Sequence, residues 1–235
     1  DLFCEGLSGS SVERYTSKEG FMTVVIEERW KKRLSKWTPD DTAIIRNFSP
    51  KLPNRKEIFP SGKIRLLHLS RGTKIKGGTH CIDVVRYIKN RGIKVYLAIS
   101  GKKFNIPEDL KGDVDFIGWV SEEEKKELME ESHFLLSPSK YEGASISIIE
   151  AISCGLPVIA SDASAETLGI TDLILPADDP KKWGEKILIY SEKEAYLSVV
   201  KRISEISSDY SPENAAKEWG ELYSKLMKGQ KNRSK

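Results

Sequence analysis

The stretch Ser137–Asp162, SPSKYEGASISIIEAISCGLPVIASD, leaves a chain few ways to fold. It opens on a strand end and a Ser137-Pro138-Ser139 turn. A short apolar helix is predicted from about Ser147 to Cys154. Gly155 suits the left-handed position past the helix end, and Pro157 keeps the helix from resuming. Val158-Ile159-Ala160 then reads as a short buried strand. A strand, a glycine turn, a helix start and a second strand is the arrangement that receives phosphates and sugars in parallel sheets. The first amides of a helix have no partner within it and point at an anion. Gly143 lets the backbone come close to such a ligand.

Two carboxylates stand in this stretch, Glu142 and Glu150, with seven residues between them. An ionised carboxylate only accepts hydrogen bonds, and a sugar offers many donors. Glu150 has a second reading: Ser147-Ile148-Ile149-Glu150 also spells a capping box, with Glu150 returning to the amide of Ser147. The residues alone leave both open.

From Lys63 onward strands and helices alternate. Strands are predicted at Ile64–Leu69, Ile93–Ser100, Val114–Ile117, Phe134–Leu136 and Leu173–Leu175. Helices are predicted at Thr79–Asn90, Ser121–Glu131, Pro180–Tyr190 and Glu194–Ser207. Ile82, Val85 and Ile88 point inward, and Ser121 with Glu124 forms a capping box. Repeated β–α units with buried strands argue an α/β, Rossmann-like, doubly wound parallel sheet. Before it, Phe21–Ile26 and Thr42–Arg46 read as strands around a helix Glu27–Trp37. Residues 48–62, with Pro50, Pro53 and Pro60, have linker composition. The last helix starts at Ser211 as N-cap with Pro212 next. Ala215, Trp219, Leu222 and Leu226 line one face, and a basic tail follows from Lys228.

One loop joins these motifs. Ser70-Arg71-Gly72-Thr73-Lys74-Ile75-Lys76-Gly77-Gly78 follows a buried strand and precedes a helix. Arg71 supplies a planar fork and Lys76 a point charge, a combination that suits a diphosphate. His68, His80 and His133 read as ordinary packed or capping histidines.

Glu142-Gly143, seven residues between the glutamates, Glu150-Ala151 and Cys154-Gly155-Leu156-Pro157-Val158 together resemble the signature of the family 4 (group 1) glycosyltransferases. Arg71 and Lys76-Gly77 match the spacing of that family's diphosphate-binding pair. Gly101 matches the first glycine of a family Gly-x-Gly, but Lys103 replaces the second. The resemblance implies the GT-B fold, two Rossmann-like domains around a cleft. Residues 63–208 would be its C-terminal, nucleotide-sugar donor-binding domain. Residues 1–47, closed by Asn47, would be a remnant of the N-terminal acceptor domain, most of which this sequence does not contain. Residues 209–235, from Tyr210-Ser211-Pro212, would be the C-terminal crossing helix and tail.

The resemblance also implies a chemistry: retaining transfer of a hexose from a nucleotide diphosphate sugar to an acceptor hydroxyl, with no metal and no cofactor. Glu142 would hold donor-sugar hydroxyls and Glu150 the ribose. Arg71, Lys76 and the amides of Gly143, Ala144, Ser145 and Ile146 would hold the diphosphate. Val120 would meet the nucleobase through its main chain. Glu142, Arg71 and Lys76 would be the catalytic group. Two other readings stand beside this one: a non-catalytic nucleotide-sugar-binding subunit that needs a partner chain, and a nucleotide-sugar epimerase of the same fold. Glycoside hydrolysis by paired carboxylates fits the diphosphate-type loop poorly.

Composition limits the partners. Thirty-eight Lys and Arg face 35 Asp and Glu in 235 residues, a net charge of +3. That balance does not point to nucleic acid. Cys4, Cys81 and Cys154 form no metal or disulfide pattern, so reduced thiols, a cytoplasmic location and no structural zinc are expected. No run is long and apolar enough for a membrane span. The sequence does not begin with Met and is read as a trimmed or processed piece. Trp30, Leu34 and Trp37 share a face of the Glu27–Trp37 helix, with Arg29, Lys31, Lys32, Arg33 and Lys36 around the rest. Such a helix suits an anionic membrane surface, and relatives often act on lipid-linked acceptors. Two readings stay open: an ordinary helix whose Trp face packs on the protein with a solvated basic face, and peripheral attachment to the inner membrane face.

Overall fold

The computed structural model describes residues 23–35, 42–50, 59–102 and 105–233, the last five of these in backbone only. Phe21, Lys36, Trp37, Pro53, Lys103, Cys4 and the end of the basic tail lie outside the described residues. The chain forms two compact units: one holds residues up to Asn47 and from Pro212 onward, the other Phe48–Ser211.

The first unit begins with β1 (Val24–Val25), α1 (Glu28–Leu34) and β2 (Ala43–Ile44). β1 and β2 pair in parallel, Val24 opposite Ala43 and Val25 opposite Ile44. A parallel pair joined through a helix is a β–α–β turn of chain. α1 buries none of its residues.

The second unit is a six-stranded parallel sheet. In chain order its elements are β3 (Ile64–His68), α2 (Gly78–Lys89), β4 (Val95–Ser100), β5 (Val114–Gly118), α3 (Glu122–Glu131) and β6 (Phe134–Ser137). Then come α4 (Ile146–Cys154), β7 (Val158–Ser161), α5 (Ala165–Leu168), β8 (Ile174–Leu175), α6 (Pro180–Tyr190) and α7 (Lys193–Glu205). Across the sheet the order is β5-β4-β3-β6-β7-β8. The chain winds outward one way from β3 and then the other way from β6. Doubly wound sheets with this order leave a crevice beyond the carboxyl ends of the two central strands, where the direction reverses.

The sheet is buried on both faces, as parallel sheets require. Leu66, Leu67, Leu97, Ile99 and Phe134 are closed to solvent, as are Val85 and Ile88 of α2, and Ile82 is buried beside them. Trp183 and Tyr196 complete the core, and both keep a polar atom satisfied. The Trp183 indole donates to the Pro176 carbonyl at 2.7 Å, and the Tyr196 hydroxyl to the His133 carbonyl at 3.3 Å.

In the second unit the predicted elements recur with ends shifted by a residue or two. The capping box of α3 is present in both its bonds: Glu124 N–H to Ser121 Oγ at 3.2 Å, and Ser121 N–H to Glu124 Oε2 at 2.7 Å. Gly155 takes the left-handed position past α4.

The chain returns to the first unit with α8 (Pro212–Arg233). Lys31, Thr42, Ile44, Glu218, Leu222 and Lys225 line one groove there. The single apolar face expected of α8 is divided. Ala215 and Leu222 are buried, but Trp219 is 37% exposed and stacks on Tyr223, ring centres 5.8 Å apart. Rings four residues apart on a helix meet each other without needing a core.

Candidate functional site

The loop after β3 is clamped to the end of β4. A side chain at Gly101 would lie 2.2 Å from the Ser70 carbonyl oxygen, and one at Gly72 would lie 2.3 Å from the Lys102 nitrogen. Both glycines have positive φ. Ser70 N–H donates to Ser100 Oγ at 3.0 Å, and Gly72 N–H to Ser70 Oγ at 3.1 Å. Arg71 is carried on this tightened loop. Its side chain is exposed and makes no hydrogen bond or ion pair among the described residues.

The same loop is stitched to the loop after β6, across the reversal point of the sheet. A one-turn 3-10 helix, Lys74–Lys76, ends at Gly77 with φ 76°. A side chain at Gly77 would stand 2.5 Å from the Pro138 carbonyl oxygen. Lys140 N–H donates to the Ile75 carbonyl at 2.8 Å. Over this seam Lys76 Nζ lies 2.7 Å from Glu142 Oε1. Ser139 Oγ donates to the same oxygen at 2.7 Å, and Ser161 Oγ donates to the Ser139 carbonyl. The Glu142 side chain is 8% exposed and that of Lys76 is 23% exposed. At this depth solvent screens the pair far less than it would at the surface.

His68 ends β3 beneath the pair. Burial drives its pKa down to about 4, and the charge on Lys76 pushes the same way, against the pull of the Leu136 carbonyl. The ring is neutral at pH 7. Its Nδ1 faces the Leu136 carbonyl at 2.9 Å and so carries the hydrogen. Nε2 is the bare nitrogen, buried and without a partner among the described residues.

The second carboxylate is placed differently from one of its two readings. α4 opens one residue earlier than predicted, with Ser145 as N-cap, so Ser147 is already helical. No capping box forms. Ser145 makes no side-chain cap bond, and its hydroxyl pairs with Ser147 Oγ at 3.2 Å. The first amides of α4 therefore lack the side-chain acceptor that usually covers them. A side chain added at Gly143 would meet nothing within 4 Å. Glu150 turns instead to Lys125 of α3, with Nζ 2.5 Å from Oε1. Sequence reasoning missed Lys125. Within EEEKKELMEE it and Lys126 are the two bases, and the order of residues does not say which faces α4.

The turn after β5 carries Trp119, 68% exposed, followed by Val120, half-buried. Among the described residues no group of three or more His, Cys, Asp or Glu is placed to hold a metal ion. No described helix is long and apolar enough to cross a membrane.

The fold and the seam define a doubly wound, parallel α/β protein with a cation–carboxylate pair at the reversal of strand order. Residues 63–192 match the family described as Glycosyl transferases group 1, and the chain belongs to that family. It is 29% identical to EpsF of Bacillus subtilis (strain 168) over 132 residues, 51% of this chain and 34% of EpsF. It is 27% identical to the amylovoran biosynthesis glycosyltransferase AmsK of Erwinia amylovora over 163 residues, 63% of this chain and 38% of AmsK. The chain thus spans little more than a third of the length of these curated relatives. Among solved structures it resembles TarM of S. aureus, determined with fondaparinux, an alpha-GlcNAc-glycerol and UDP. The TM-score is 0.72 and the identity 20%, over 85% of this chain and 43% of that one. The fold is that of GT-B glycosyltransferases.

Proposed function

We propose that the second unit is the donor half of a retaining glycosyltransferase. It would move a hexose from a nucleotide diphosphate sugar to an acceptor hydroxyl. The observation that carries this reading is the contact of Lys76 with Glu142 across the reversal point of the sheet. An ammonium and a buried carboxylate held there can each take one part of such a donor. Lys76 takes the diphosphate, with exposed Arg71 and the backbone amides of Gly143, Ala144, Ser145 and Ile146 beside it. Glu142 accepts from hydroxyls of the sugar, and Glu150 from the ribose. Val120 meets the base through its main chain. No metal or cofactor enters this reading.

In the transfer step the bond from the anomeric carbon to the leaving phosphate oxygen breaks first. The sugar passes through an oxocarbenium-like state, and the departing diphosphate keeps the electron pair. Arg71 and Lys76 stabilise that developing charge. The acceptor oxygen attacks from the face just vacated, and its proton goes to the leaving phosphate. Configuration is retained.

The test is calorimetry with uridine, guanosine, adenosine, cytidine and thymidine diphosphate sugars. NMR of the product with a simple acceptor follows. Binding of one donor and a product with unchanged anomeric configuration support the reading. No binding to any donor removes it.

A second reading is a non-catalytic subunit that binds the donor and needs another chain for transfer. Donor binding without turnover, restored by a partner, identifies it. The acceptor is read as lipid-linked, reached at an anionic membrane surface through α1. That helix carries Arg29, Lys31, Lys32 and Arg33 and buries nothing.

A further inference from the structure

We propose that Lys125 is a positioning residue of the donor site: its ammonium fixes one oxygen of Glu150 and so presents the other to the vicinal hydroxyls of a nucleotide ribose. This rests on the reading of Glu150 as the ribose-binding group.

The geometry has three parts. The start of α3 is locked by both bonds of its capping box, so Lys125, one turn in, has a fixed origin. Its Nζ lies 2.9 Å from Glu122 Oε2 on its own helix and 2.5 Å from Glu150 Oε1 on α4. The side chains of Lys125 and Glu150 are 16% and 13% exposed. Burial opposes the charge on Lys125, but hydrogen bonds to Glu150 and then Glu122 outweigh it and raise the pKa of the ammonium.

A glutamate on a helix turns about several bonds, and each must be stilled before it recognises a ligand. Anchoring Oε1 stills them. Oε2 makes no hydrogen bond among the described residues, and its lone pairs remain for a ligand. Two adjacent ribose hydroxyls are two donors and match that acceptor. The cluster of Glu122, Lys125 and Glu150 carries a net charge of −1. It accepts hydroxyl protons and repels phosphate oxygens, which sorts the ribose from the diphosphate. A lysine that only tied α3 to α4 would affect melting alone and would not distinguish ribose from deoxyribose.

The experiment measures Kd for UDP, GDP, ADP and CDP and for their 2′-deoxy forms. The ratio of the two forms is unaffected by a loss of folded protein, since both ligands meet the same molecules. Wild type is expected to prefer at least one ribose form by about tenfold or more, the worth of a hydrogen bond to a charged group. Lys125→Met is expected to bring that ratio below about threefold, with the 2′-deoxy affinity nearly unchanged, and Lys125→Arg to keep most of it. If wild type discriminates and Lys125→Met discriminates equally, the proposal falls while the donor reading stands. Equal losses for both forms in Lys125→Met also overturn it. If wild type binds none of these nucleotides, the donor reading falls and the proposal with it. If it binds ribose and deoxyribose forms alike, Glu150 has no ribose to hold and the proposal falls.

Discussion

At the scale of the residue, Arg71 and Lys76 separate binding from stability. Arg71 is exposed and loses no internal partner on truncation. Arg71→Ala should weaken nucleoside diphosphate binding by about 1.5–3 kcal/mol and nucleoside binding little, with melting unchanged. Lys76→Ala should cost a similar amount in binding and also lower the melting temperature, because Glu142 is left in its buried place without a cation. Calorimetry with both ligands beside thermal melts checks the pair. Equal losses for nucleoside and diphosphate would reject the assignment. How much of this was legible depends on the residue. Arg71, Lys76 and Glu142 stood out as charged groups beside glycines in strand–helix loops, and Glu150 by its spacing from Glu142 on the helix that follows. Their contacts were not legible, since Lys76 meets Glu142 only because the strand order reverses. Lys125 lay hidden because its partner is 25 residues away on another helix.

At the scale of the element, the loops after β3 and β6 behave as one piece. Gly77→Ala asks for an alanine at φ 76° with its side chain 2.5 Å from the Pro138 carbonyl oxygen. The backbone strain alone costs roughly 1 kcal/mol, and the overlap forces the loops apart. Stability and diphosphate affinity should fall together. Gly143→Ala meets open space and should leave denaturant stability within about 0.5 kcal/mol. It should nevertheless weaken diphosphate binding if the phosphates lie against that backbone. The boundary of α4 shows where sequence reasoning stops. Ser147 reads as the start from sequence, whereas the helix takes Ser145 as its N-cap, with Ile148 and Ile149 buried in the core. α1 supplies a test of the membrane reading. Trp30 lies between Arg29 and Arg33, whose guanidinium carbons stand 5.9 Å and 5.7 Å from its ring centre. Flotation with anionic vesicles should show salt-sensitive binding that Trp30→Ala reduces. Chain that stays in solution at low salt with such vesicles would end that reading.

For the whole molecule, acid should act in two stages. The first belongs to His68, whose native pKa of about 4 lies below the ordinary 6.5. Between those values the unfolded chain binds a proton that the native chain refuses. Stability therefore falls as pH drops from about 6.5 to 4, by about 3 kcal/mol, and this contribution is flat below. His80, lowered by its own burial, adds in the same direction. The second stage belongs to Asp172. Hydrogen bonds from Arg202 of α7 hold its carboxyl well below the usual range, with Tyr190 of α6 assisting. That support is present above the ordinary carboxylate pKa and is lost as pH falls below about 4. Denaturant titrations at pH 7, 5 and 3 should show both stages. His68→Asn should remove most of the first, and Asp172→Asn should flatten the second. The alternation of strands and helices was legible throughout this unit, because buried strands bounded by glycine turns admit few other folds. The acid response was not, because it depends on which polar groups end up beneath others.

One hydrogen bond has a meaning beyond local order. Ser49 N–H donates to the Tyr210 carbonyl at 3.1 Å, within two residues of where the second unit starts and of where it stops. The polypeptide enters and leaves that unit through a single doorway. A segment whose ends meet in this way is portable: it can be lifted from one chain, or inserted into another, without stretching its host. The peptide 48–211 should thus fold alone, and joining its ends through a short glycine bridge, with new ends opened at exposed Gly112, should preserve its far-ultraviolet spectrum and cooperative melting.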